Sequence, residues 1–169
     1  RADPRAIQGL TKSPTAPSLY LSYPITSILE EDPALLDRAA EFAKKLTDIG
    51  FVVFDPLSIQ DLNSPQTGEF ILLENDPPID QAKEANRYIE SQILSRDLQW
   101  VDQADMVVVY YPTELVSPGV FAEMSHARDV RRPVYLCEFP GKVSPFLGMF
   151  HQAAFTTIED TIDGLQKIY

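Results

Sequence analysis

The chain has 169 residues, 44% apolar and 23% charged, with 14 basic against 25 acidic side chains and a formal net charge of −11. A chain of that length suits one domain burying roughly two-thirds of its surface. The composition excludes a disordered chain, and no apolar run approaches the ~20 residues that span a bilayer. The acidic balance excludes a broad surface for polymeric nucleic acid, but leaves a small anion free to bind backbone N–H groups at a helix start.

Residues 1–17 carry three prolines and no apolar period, and read as a flexible leader to a domain over 18–169. An opening at Arg1 rather than Met points to a piece of a longer chain. SLYLSYP (18–24) reads as a short strand ended by Pro24. Leu35, Leu36, Ala39, Phe42, Ala43 and Leu46 recur at helical spacing over 33–49, and Gly50 stops that helix. FVVF (51–54) is a second strand, followed by a long loop over 55–80 and a helix over about 81–103. MVVVYY (106–111) is the most β-prone run, and Ser117-Pro118-Gly119 opens a helix to about Val130. PVYLCEF (133–139) and AAFTTI (153–158) complete five strands, before a last helix over 159–168.

Strands that are continuously apolar and alternate with helices predict a parallel sheet covered on both faces. The fold class is therefore α/β, an open doubly wound five-stranded sheet of the Rossmann or flavodoxin kind. Ligands in such sheets sit beyond the C-terminal strand ends, here near 22–26, 55–61, 111–119 and 139–149.

Single Cys137 excludes an internal disulfide, and with only His126 and His151 no Cys/His zinc site can be assembled. Neither GxGxxG nor GxxxxGK[ST] is present, which excludes the common nicotinamide and ATP loops. No metal and no cofactor is expected. Without an apolar signal segment the expected compartment is the cytoplasm, with no membrane partner. Cys137 reads as core filler, and His126 and His151 as surface or loop side chains.

Three features carry chemistry. Ser117 suits an N-cap, Pro118 the first helical position, and Gly119 leaves the next N–H open, which makes either a plain cap or an anion cup. At 100° per residue from Val120, Glu123 falls at about 300°, inside the arc of Ala127, Met124 and Val130. Counted the same way from Ile93, Asp97 falls at about 40°, among Ile89, Trp100, Ala104 and Val101, with Glu90 competing on that face. A carboxylate on an apolar face is costly unless it is hydrogen-bonded or used, and two such acids can divide labour as nucleophile and proton handler.

The stretch 95–136, with its Asp-bearing helix, AD-plus-apolar strand and Gly–x–x–x–Glu helix, resembles the nucleoside 2-deoxyribosyltransferase superfamily. It is closest to the 2′-deoxynucleoside 5′-phosphate N-hydrolases and the CMP N-glycosidases. LYLSYPIT (19–26) and FLGMF (146–150) extend the resemblance. It implies that Glu123 is the nucleophile, that Asp97 handles a proton or orients the sugar, and that Tyr20 stands beside the nucleophile. Ser117 and Gly119 match positions that hold a 5′-phosphate, and Met149 matches a residue that reaches into a neighbouring subunit's site. The resemblance thus implies a homodimer or higher homo-oligomer.

Where the hydrolases carry Gly-Ser-Ile-Arg, this chain has Tyr23-Pro24-Ile25-Thr26, so Tyr23, Ile25 and Thr26 fall on substrate-facing positions. Thr26 replaces a phosphate-facing arginine, and Leu147 replaces a serine of the neighbouring subunit. The transferases place Asp where Ser117 stands; Asp repels a phosphate dianion, whereas Ser can donate to it.

The expected function is N-glycosidic hydrolysis of a small-molecule nucleoside 5′-monophosphate. Tyr23, Phe54, Tyr111 or Phe146 are candidates to sandwich the base. The alternatives are a deoxyribosyltransferase, an NAD-cleaving hydrolase, or a nucleotide-sensing domain without turnover.

Overall fold

The computed structural model describes residues 16–58, 94–140 and 149–169. The expected leader, the body of the loop after Asp55, the first part of the helix before Asp97 (with Glu90), and Phe146 and Leu147 lie outside the described residues.

Five strands form one sheet: β1 (Ser18–Ser22), β2 (Val52–Phe54), β3 (Met106–Tyr110), β4 (Val134–Cys137) and β5 (Ala153–Phe155). All pair in parallel, in the order β2-β1-β3-β4-β5. This is the expected doubly wound α/β sheet. Pro24 and Pro112 lie two residues beyond the ends of β1 and β3, and Pro133 directly precedes β4, which ends where Glu138 takes a φ of 54°. β1 has β2 on one side and β3 on the other, so the chain winds in opposite senses from it. The crevice outside the C-terminal ends of β1 and β3 is the topological switch point.

Among the described residues five helical segments cover the sheet: α1 (Ile25–Glu31), α2 (Ala34–Asp48), α3 (94–103), α4 (Pro118–Asp129) and α5 (Ile158–Ile168). α2 buries Ala39, Phe42 and Leu46 on one stripe, and Gly50, at φ 104°, turns the chain into β2. The short α1 is an addition to the sequence reading. Pro24 closes β1, its carbonyl accepts the Ile28 N–H at 2.9 Å, and buried Ile28 fixes the turn. Among the described residues no helix is long and apolar enough to cross a membrane.

Successive strand residues face opposite sides, and this divides the core in two. Leu19, Leu21, Met106, Val108 and Tyr110 pack with Phe42, Leu46 and Leu165 on the side of α2 and α5. Tyr20, Val107, Val109 and Tyr111 pack with Val101, Ala104, Val120, Met124 and Ala127 on the side of α3 and α4. The second side holds the two acids.

Candidate active site

Glu123 lies on α4, turned toward β1 and only half-buried. The Tyr20 hydroxyl donates to its Oε1 at 2.8 Å, and the Ser22 hydroxyl donates to its Oε2 at 2.5 Å. Both donors are fully buried and sit two residues apart on β1, so the pleat aims them at the same face. Burial pushes Glu123 up to about 7 against an ordinary 4.5; the bonds from Ser22 and Tyr20 pull it down, and the charge of Asp97 pushes it up. Burial and the adjacent carboxylates hold the Tyr20 phenol well above its ordinary range, so it stays a donor.

Asp97 is 8% exposed on α3. Burial raises its pKa, and the Arg96 guanidinium, whose Nε donates to Oδ1 at 3.1 Å, works against that rise. Arg96 also lies 4.7 Å over the Trp100 ring, and Trp100 stacks on Phe54 with 6.2 Å between centroids and 10° between planes. Tyr20 approaches the same indole at 6.3 Å. The acids thus lie near one another beside an aromatic cluster with one cation on it.

The start of α4 is built as the sequence suggested. Ser117 caps the helix, accepting the Val120 N–H at 3.4 Å, and Pro118 occupies the first turn. The Tyr111 hydroxyl accepts the Ser117 N–H at 2.9 Å and donates to the Leu115 carbonyl at 2.7 Å. Gly119 stands in the first turn, where an N–H has no intrahelical acceptor, and a Cβ there would meet nothing within 4 Å. Along the helix axis, Ser117 and Glu123 are about 9 Å apart.

The structure does not bring Tyr23 to Glu123. Alternation along the chain sends Tyr23 to the side opposite Tyr20 and Ser22, where its ring packs in the α2 core and its hydroxyl donates to Asp55 at 2.6 Å. Ile25 is half-buried against that same core, and the Thr26 side chain is exposed in the first turn of α1. Tyr111 is spent on the 115–117 loop rather than offered as a base platform, while Phe54 stays available beside Trp100. Met149 is 66% exposed. His126, half-buried, pairs with Asp102 of α3 at 2.7 Å, and Cys137 is fully buried in β4.

Two polar residues of the site, Ser22 and Arg96, escape the sequence reading. Ser22 is marked by its spacing of two from Tyr20 on a strand, and Arg96 by its adjacency to Asp97.

No family model and no curated protein matches the sequence. Among solved structures, the chain is similar to the 2-deoxyribosyltransferase of Bacillus psychrosaccharolyticus, with a TM-score of 0.61 at 18% identity, covering 86% of this chain and 90% of that one. It is similar to a conserved protein of Enterococcus faecalis V583, with a TM-score of 0.52 at 12% identity over 91% and 99% of the two chains. The CMP N-glycosidase BcmB of Clostridium botulinum overlaps more loosely, with a TM-score of 0.44 at 11% identity over 90% and 99%. The chain shares its fold with the first two of these structures.

Proposed function

We propose that the protein is an N-glycosidase that hydrolyses the base–sugar bond of a nucleoside 5′-monophosphate, with Glu123 as nucleophile. The observation that carries this reading is a carboxylate at the switch point of the sheet, half-buried and held on both oxygens by buried hydroxyls.

In this mechanism the ionised Glu123 attacks the anomeric carbon, and the C–N bonding pair leaves with the base. Asp97, whose pKa burial raises, supplies the departing base with a proton directly or through a water. Water then attacks the anomeric carbon of the glycosyl ester, loses its proton to Asp97 and returns Glu123 as a carboxylate. The Ser117 hydroxyl and the Gly119 N–H anchor the 5′-phosphate at the positive end of α4, leaving about 9 Å of helix between anchor and nucleophile. Such fixing contributes several kcal/mol, up to roughly 7–11 in ideal systems. Exposed Met149 is the residue a second copy would bring to this site.

A deoxyribosyltransferase is the second reading, favoured by the fold shared with one such enzyme. In that case a second base, not water, takes the sugar from Glu123. A chromatographic screen of ribo- and deoxyribonucleoside monophosphates for freed base tests the proposal, with Glu123→Ala as control. Freed base and sugar phosphate support hydrolysis. A new nucleoside on adding a second base, with free nucleosides included in the screen, supports transfer, and neither product from any nucleotide or nucleoside overturns both.

A further inference from the structure

We infer that Ser22 is a positioning residue for Glu123, clamping Oε2 while Tyr20 clamps Oε1, so that the side chain is held in one orientation and in its charged form. The inference rests on the reading of Glu123 as nucleophile.

Ser22 ends β1 in a fully buried place, with the Oγ 2.5 Å from Oε2. Packing gives no reason for a hydroxyl there: a buried O–H is costly unless bonded, and the cross-strand partner of Ser22 on β3 is the buried apolar Val109. Its carboxylate partner has about four acceptor positions, of which Tyr20 and Ser22 fill two, leaving two for attack on carbon. A donor at each oxygen blocks rotation about the last side-chain bond, which a single donor does not.

The groups that face Glu123 set its charge. From β1 come the hydroxyls of Tyr20 and Ser22; from α3 come Asp97, which opposes ionisation, and Arg96, which is engaged with Asp97 at 3.1 Å. On its own helix Val120, Met124 and Ala127 are apolar, and His126, three residues on, is paired with Asp102 at 2.7 Å. No guanidinium or ammonium pairs with Glu123 among the described residues. Stabilisation of its charged form therefore falls to two neutral hydroxyls, and losing either one favours the protonated acid, which cannot attack.

The test compares Ser22→Ala and Ser22→Thr with the parent. The Glu123 titration is followed directly by carboxyl 13C NMR, assigned by its loss in Glu123→Gln, and kcat/KM is followed against pH on whichever nucleotide the screen identifies. In Ser22→Ala the titration is expected to move up by about one unit or more, with kcat/KM falling about tenfold below that titration and far less above it. Ser22→Thr, which keeps the hydroxyl, is expected to restore both. An unmoved titration in folded Ser22→Ala, or a loss equal at every pH, overturns the inference. If Ser22→Ala does not fold, Ser22→Cys supplies the weaker donor: an upward shift supports the clamp, and none overturns it. The NMR measurement needs no substrate. A shifted titration in a protein that frees no base therefore leaves the clamp standing and rejects the glycosidase, while an unmoved titration in an active enzyme does the reverse.

Discussion

Tyr20 and Glu123 stand 103 residues apart in the chain, yet their side chains meet at 2.8 Å. The meeting follows from the winding of the sheet. Tyr20 of β1 is in register with Val107 of β3, and α4, which follows β3, packs back over that strand and shares a core with Tyr20. The acid has no hydroxyl partners until β1, β3 and α4 are all in place, so the site and the tertiary fold form together.

Glu123→Gln is expected to abolish base release, by roughly a thousand-fold or more, while leaving the fold intact. It keeps the shape of the side chain, its amide oxygen accepts one of the two hydroxyl bonds, and its NH2 can donate to the other oxygen. Stability should change with pH in a distinctive way. The unfolded chain releases this proton near 4.5 and the folded protein near 7, so within that window the folded state holds more proton and stability falls as pH rises. The variant lacks this decline. Melting temperatures at pH 5 and pH 8 check it: parent and variant should diverge at pH 8 in favour of the variant.

Arg96→Gln removes the charge and the hydrogen bond that hold the Asp97 pKa down. Asp97 is then expected to titrate at higher pH, because burial acts unopposed. The limb of the kcat/KM profile that reports the proton handler should move upward, while the melting temperature changes little. A profile that lies over that of the parent would remove Asp97 from proton transfer.

Ser117→Asp separates phosphate recognition from sugar recognition. Aspartate caps a helix as well as serine does, so stability is expected to stay within about 0.5 kcal/mol of the parent. Its charge repels a phosphate dianion where serine would donate to one. KM for the nucleotide should rise at least about tenfold and that for the nucleoside much less; equal losses on both would place the phosphate elsewhere.

Gly119→Ala probes the backbone donor. An added Cβ meets nothing within 4 Å, and the backbone there is not left-handed, so folding does not require glycine at this corner. Stability should hold or rise by up to about 1 kcal/mol, from the better helix propensity of alanine. A methyl beside the open N–H crowds a bound phosphate, so nucleotide KM should increase with kcat nearly unchanged. Inhibition by inorganic phosphate, measured in parent and variant, checks the same contact without a sugar.

Much of this was legible in the chain. The parallel sheet is announced by apolar runs such as MVVVYY and PVYLCEF, and the edges of its strands by the prolines beside them. Glu123 and Asp97 stand out because each is an acid inside an apolar arc, a conflict visible at helical spacing. Ser22 is harder to see, since a small hydroxyl in an apolar run reads as filler until its partner, 101 residues further on, is folded against it. Tyr23 follows the two-residue period of the strand, which turns its ring to the face opposite Tyr20 and Ser22. The seven residues of α1 are too few to display a helical period at all.

Tyr111 ties the end of β3 to the start of α4 through one phenol oxygen, which holds both the Leu115 carbonyl and the Ser117 N–H. That oxygen works as a peg from which the serine–proline–glycine corner hangs. With Tyr111→Phe the peg is gone while the ring still fills its hole, and the corner is released to drift against the carboxylate it should be measured from. Turnover then drops in a protein whose interior is as well filled as before.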